Sequence, residues 1–296
     1  MKRYIILSLF LVLALTNLQA QQLQTSSLYD LQGVLHNPSM AGVNNMVGVT
    51  YRSQWTGISG SPRTGTVFGS FKLPEQKIGL GGYIYSDKTG PTSRTGIQLA
   101  FAKHIETANG TFSLGLEARG QQFSLNREKL SQSIAGDPAM GAGDNRFKFD
   151  AGFGVSYTNK KFQIGASVSQ LVQSKLDFYT GNLSTTEQAR LYRHYYLHGA
   201  YHWTVDEATV ITPNFLMIYL PNAPLEFQGG FRVEHNEVFW WGVALRARQS
   251  WMLSAGAHIT KKFTLGYAFD IYKTPVSSFQ GGANAHELML RYNILK

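Results

Sequence analysis

From Val47 to Leu295 the chain reads as fourteen short runs in which apolar and polar residues alternate. That is the period of a strand showing one face to an apolar medium and the other to a polar one. The second half is clearest. Leu225, Phe227, Gly229, Phe231 and Val233 share a face, against Glu226, Gln228, Gly230 and Arg232. Phe263, Leu265, Tyr267, Phe269 and Ile271 likewise oppose Thr264, Gly266, Ala268, Asp270 and Tyr272. Runs of about 9–12 residues, at ~3.3 Å each and a tilt of ~45°, cross a bilayer core. Residues 80–85 and 209–219 are ambiguous in phase, and Pro213 predicts a bulge or a local break in pairing.

The connections alternate in length. Those at 58–63, 86–92, 120–146, 171–190, 220–224, 246–250 and 273–284 are long or rich in turn residues. Those at 74–76, 106–109, 159–160, 205–207, 234–236 and 260–262 are clipped. Outer-membrane barrels have this asymmetry, with short turns in the periplasm and longer loops outside. The predicted fold is therefore all-β: a transmembrane antiparallel barrel of fourteen strands over residues 47–296, with both ends periplasmic. Trp203, Tyr219 and Tyr272 at the ends of runs suit the aromatic girdles of the membrane interface. A soluble sandwich accounts less readily for the loop alternation and for these aromatic ends.

Two segments precede the barrel. Residues 1–20 begin with Lys2 and Arg3, continue apolar to about Leu15 and end on Ala20, the pattern of a signal peptide cleaved near Ala20. Residues 21–46 are too irregular for a strand pair and read as a plug-like segment in the periplasmic mouth, although composition suits a disordered tail equally.

Composition changes this picture little. Mean hydropathy is −0.16, as expected when an apolar outer face is averaged with a polar inner one. With no cysteine in the chain, thiolate metal sites, thiol catalysis and disulfides are all excluded. The net charge of +9 is scattered, with no basic run longer than two, so nucleic acid is not an expected partner.

Candidate chemistry is sparse. His194, His198 and His202 fall on one face, but a strand separates i and i+4 by ~13 Å. Zinc needs its ligands ~2 Å away, so these three read as separate lumen residues. Glu226, Asp270 and Glu287 share the inner face with Arg232, Arg246 and Arg291, which predicts mutual neutralisation. Residues 79–82 are glycine-rich within a strand and so form no phosphate loop. Asp137-Pro138 and Asp144-Asn145 form a weak calcium candidate, lacking full ligand spacing. No cofactor, metal or catalytic constellation is expected, and the reading is non-enzymatic.

Separated stretches carry a family resemblance. Asn37-Pro38-Ser39-Met40-Ala41-Gly42, Tyr51-Arg52-Ser53-Gln54-Trp55 with the following Gly60-Ser61-Pro62-Arg63-Thr64, and Ser86-Asp87-Lys88-Thr89-Gly90-Pro91 come first. Arg193-His194-Tyr195-Tyr196 and His286-Glu287-Leu288-Met289-Leu290-Arg291-Tyr292 follow. Together they resemble the motifs of the PorP/SprF family of type IX secretion outer-membrane proteins. Ser39 stands where the family usually has alanine, and the chain closes on Lys296 where many barrels finish on an aromatic.

The resemblance implies a Gram-negative outer-membrane protein, in contact with outer-membrane lipid, that exports or holds at the surface large proteins with a type IX C-terminal signal domain. Filamentous adhesins of gliding cells are among such cargo, and periplasmic ring components are implied as further partners. The motif positions Asn37, Pro38, Gly42, Arg52, Trp55, Asp87, Gly90, Pro91, His194, Glu287 and Arg291 are expected to be structural or partner-contacting. Structurally, Asn37, Pro38 and Gly42 would fix a turn, Arg52 would satisfy lumen carboxylates, and Trp55 would anchor at the interface. The alternative is a channel for small solutes or hydrophobic compounds, motivated by the glycine-rich inner face.

Overall fold

The computed structural model describes residues 26–126, 129, 145–176, 190–221, 223–273, 277 and 283–294. The leader, its exit at Ala20, and the calcium candidates Asp137, Pro138 and Asp144 lie outside these residues. The first strands are β1 (Met46–Ser53), β2 (Arg63–Leu73), β3 (Ile78–Thr89), β4 (Thr92–Thr107) and β5 (Gly110–Leu125). Then come β6 (Asn145–Thr158), β7 (Phe162–Ser169), β8 (His194–Tyr201), β9 (Trp203–Thr204) and β10 (Thr209–Tyr219). The ring ends with β11 (Glu226–His235), β12 (Phe239–Arg246), β13 (Ser250–His258), β14 (Phe263–Tyr272) and β15 (Ala285–Asn293).

Every pairing is antiparallel, β1 pairs with β15, and β10 pairs with both β8 and β11. The sheet is thus a closed barrel. β8 and β9 are two parts of one stave, both paired to β10, so the wall has fourteen staves. The break falls where Pro213 predicts it. β10 pairs with β9 at Val210 and Ile211 and with β8 from Asn214 onward. Across the gap at Thr212 and Pro213, proline has no N–H to give the ladder.

Both ends of the wall lie on one rim, where Met46 pairs with Asn293. That rim carries the short turns 74–77, 108–109, 159–161, 205–208, 236–238 and 259–262. The opposite rim carries 54–62, 126–144, 170–193, 220–225 and 273–284, together with two tight turns, 90–91 and 247–249. The first of these differs from expectation. Pairing continues to Thr89 and Thr92, so the connection at 86–92 shrinks to Gly90 and Pro91. Strand-forming Thr89, Thr92 and Thr95 extend the hairpin past the signal given by its turn residues.

The alternation resolves into an exposed apolar outer wall, including Leu99, Leu116, Phe149, Trp251 and Leu288. Trp203 and Tyr219 are exposed near opposite ends of their stave pair. Tyr272 is a correction to the girdle reading. It is buried inside the barrel, where Gln54 Nε2 donates to its hydroxyl at 2.9 Å. A phenol oxygen at a stave end accepts as readily from lumen donors, here Gln54 and Arg52, as from the interface.

Among the described residues no helix is long and apolar enough to cross a membrane; the strands do so. Residues 26–45 lie inside the barrel as a plug built on three 3₁₀ turns, Tyr29–Leu31, Gly33–Leu35 and Pro38–Met40. The apolar core sits between plug and wall. Leu28, Val34 and Ala41 pack with Phe68, Tyr83, Trp240 and Met289, while Tyr29 packs with Leu216, Ile218, Leu220 and Met252.

Candidate functional site: the plugged lumen

At its N-terminal end the plug is held by charge. Arg52 near the end of β1 reaches Asp270 of β14 at 2.6 Å and Glu287 of β15 at 3.2 Å. Arg246 of β12 reaches the same Asp270 at 3.2 Å and Glu226 at 3.6 Å. Period-two alternation puts all five side chains inside, and all are buried or nearly so. The plug completes the cluster. Ser27 N–H donates to Glu287 at 2.7 Å, Ser27 Oγ donates to Asp270 at 2.6 Å, and Ser26 Oγ donates to Glu287 at 2.6 Å. Buried ion pairs tolerate loss of water only when such extra donors satisfy the remaining lone pairs. Further along, Asp30 pairs with Arg232 and the Tyr29 hydroxyl donates to Asn214.

At its other end the plug is held by close backbone approach. Asn37 caps the 3₁₀ turn that starts at Pro38, its Oδ1 accepting from Ser39 N–H at 3.0 Å. Its Nδ2 donates to the Val155 carbonyl at 3.1 Å and lies 2.9 Å from His198 Nε2. Glycines make the room. A Cβ at Gly79 would fall 1.9 Å from the Ala41 carbonyl oxygen, one at Gly115 2.1 Å from Ser39 N, and one at Gly154 2.1 Å from Asn37 Oδ1. Gly42 has φ +77°, sits against Gly79, and donates its N–H to Ser70 Oγ at 2.9 Å. His36 beside this cradle has its pKa held well below the ordinary value by burial and, secondarily, by His198.

The 3₁₀ turns form a partition. On the long-loop side Tyr29, Gln32, Leu35 and His36 face a cavity of about 80 Å³. On the short-turn side Asp30, Leu31, Gly33 and Val34 face an open vestibule of about 1120 Å³. The two cavities share no lining residue.

The motif positions fall into three places. Asn37, Pro38 and Gly42 lie in the cradle, with His198 rather than His194 as the imidazole neighbour. Arg52 and Glu287 lie in the ionic cluster. Trp55, at φ +51°, stands edge-to-face on Tyr272 at 6.3 Å, away from the outer wall. Asp87 accepts from Thr64 Oγ1 at 2.6 Å, and Gly90 N–H donates to the Gly60 carbonyl at 2.8 Å. Pro91 accepts from Asn126 N–H at 2.8 Å. These contacts tie neighbouring loops together. His194 Nδ1 bonds the Tyr192 carbonyl, and His202, between β8 and β9, has its Nδ1 at Thr212 Oγ1, so these histidines serve separate partners. Arg291 lines the vestibule. Sequence reasoning missed Ser26, Ser27 and Asp30, which carry no periodic signal, and the glycines of the cradle. Glycine recurring on the inner parity of adjacent staves was the available cue.

A closed antiparallel barrel with an apolar outer wall, mixed loop lengths and an internal plug is an outer-membrane barrel. Residues 17–292 match the family model of the type IX secretion system membrane protein PorP/SprF. The chain belongs to that family. Among solved structures it resembles the toluene transporter TbuX of Ralstonia pickettii (TM-score 0.53, 11% identity, covering 89% of this chain and 93% of that one). It also resembles the outer membrane protein Omp33 of Acinetobacter baumannii (TM-score 0.50, 8% identity, covering 86% and 100%). At such identities the likeness is one of fold. No curated protein matches the chain.

Proposed function

We propose that this protein is a non-enzymatic component of the type IX secretion system, in the outer membrane of a Gram-negative bacterium. It supports export or surface attachment of large proteins bearing a type IX C-terminal signal domain. The family match carries the reading, and the partitioned lumen agrees with it. A barrel whose interior is occupied by its own buried, ion-paired segment offers surfaces rather than a passage. In this reading the short-turn rim faces the periplasm, towards ring components, and the long loops face outward, where an external partner docks.

A crosslinked pulldown of a tagged copy from intact outer membranes tests it. Recovery of a secreted protein with a C-terminal signal domain, or of periplasmic ring proteins, is expected. Recovery of neither counts against it. The fold likeness to a toluene transporter keeps a channel as the second reading. That reading requires solute passage in planar bilayers, and it fails if the barrel stays silent both with and without residues 21–46.

A further inference from the structure

The small cavity on the long-loop side is richer in cations than its acids can balance. Three arginines line it, Arg52, Arg94 and Arg119, and one carboxylate, Glu287. Glu287 is already taken by Ser26, Ser27 and Arg52. Arg119 is paired with Glu117 at 3.0 Å, but among the described residues Arg94 has no carboxylate within ion-pair distance. Asp87 stands opposite Arg94 across the β3–β4 ladder, yet it accepts from Thr64 instead.

Arg94 and Arg119 are each laid over a tyrosine ring, Tyr85 at 5.5 Å and Tyr83 at 5.8 Å. The ring faces hold the guanidinium planes in place. Between them sits Gln121, 1% exposed, whose Oε1 accepts from the Tyr85 hydroxyl at 2.8 Å. Gln121 Nε2, Arg94 Nε and Arg119 Nε are buried donors without an acceptor. The register groups them. Arg119 and Gln121 are two apart on the inner face of β5, and Gln121 pairs with Gly96, two residues along β4 from Arg94. Gln121 and Arg94 are diagonal same-face neighbours about 7–8 Å apart, while Arg119, opposite Gln98, stands on the other side of Gln121, about 13 Å along the strand from the level of Arg94.

We propose that this cavity is a carboxylate-binding site, in which one carboxylate lies among Arg94, Arg119 and Gln121. Guanidinium donors match a carboxylate in charge and planar geometry. The cavity of about 80 Å³ admits such a group with its water, whereas drug-sized ligands occupy about 300 Å³ or more. The carboxylate belongs either to a small organic acid or to the C-terminal end of a polypeptide entering from the long-loop rim. The site stands independently of the secretion reading.

Isothermal titration of the full-length mature barrel in detergent tests it, with sodium acetate and with a tripeptide whose C-terminus is free or amidated, at constant ionic strength. Saturable binding of acetate or of the free peptide, but not of the amide, is expected. Arg94→Gln, which removes a side chain without an ion pair, should weaken it by roughly tenfold or more, and Gln121→Leu should weaken it separately. Acetate binding alone assigns a small acid; binding of the free peptide without acetate assigns a chain end. Equal binding of free and amidated peptide, no binding of either ligand, or an unchanged affinity in both variants overturns the site.

Discussion

One plug is held by two kinds of chemistry. The staves from β12 through β15 to β1 hold Ser26 and Ser27 with buried, ion-paired side chains, while Trp240 packs in one apolar cluster with Leu28 and Met252 in another with Tyr29. Under the cradle the staves from β3 to β7 present glycines, Gly79, Gly115 and Gly154 among them, and let Asn37–Gly42 lie against backbone. The first arrangement depends on charge balance, the second on empty volume. They should therefore fail differently.

The cradle should break hardest. At Gly79 and Gly115 an added side chain would meet plug backbone at 1.9 and 2.1 Å, and backbone cannot rotate away. Gly79→Val and Gly115→Val should displace the segment while leaving the wall folded. In planar bilayers the variants should conduct where the parent is silent; equally silent variants would show that the cradle has slack.

The ionic end should lose stability before it loses its plug. Arg52→Met leaves Asp270 and Glu287 buried with one guanidinium fewer. Breaking one partner of such a cluster costs about 3–5 kcal/mol. The midpoint of denaturant unfolding should fall accordingly, and a shift below about 1 kcal/mol would place the cluster among weak surface-like pairs.

Acid sharpens the contrast. His36 docked in the barrel has its pKa well below the ordinary value of 6.5, so the released segment binds a proton that the docked one refuses. Stability of docking from this group is therefore present above about pH 6.5 and lost progressively below it. Amide-exchange protection of residues 37–42, corrected for intrinsic rates, should drop between pH 7.5 and 5.5, with less change at Ser27. Uniform loss at both ends would contradict a local cause. Trp55→Ala should do least. Its edge-to-face contact with Tyr272 at 6.3 Å is worth about 0.5–1.5 kcal/mol, and the variant's thermal midpoint should move only slightly.

The same division governs what the sequence discloses. Alternation places Arg246, Asp270 and Glu287 on inner faces before any coordinates, because a strand has only two sides and charge avoids lipid. Pro213 marks its interruption for an equally local reason. The plug has no such period. Its turns are set by Asn37 and Pro38, but its depth is set by staves more than a hundred residues away, as with Asn37 and Val155. Glycine is silent about cause: the same residue serves a turn at Gly90, a left-handed corner at Gly42 and a backbone contact at Gly79. The shortness of the Gly90-Pro91 turn was missed because extension of a hairpin is a tertiary decision, whereas the inward Tyr272 follows the parity it shares with Asp270, which the girdle reading overrode.

The seam between β1 and β15 joins the two ends of the wall, and Arg52 faces Glu287 directly across it. Ser26 and Ser27 bind that same glutamate over separations of 261 and 260 residues. The ladder that joins the two ends of the wall thus contains residues that hold the plug. A barrel that closed around an empty lumen would bring Arg52, Asp270 and Glu287 together with their extra donors missing. Ring closure and docking of the N-terminal segment thus draw on the same side chains, so a change at the seam reaches both.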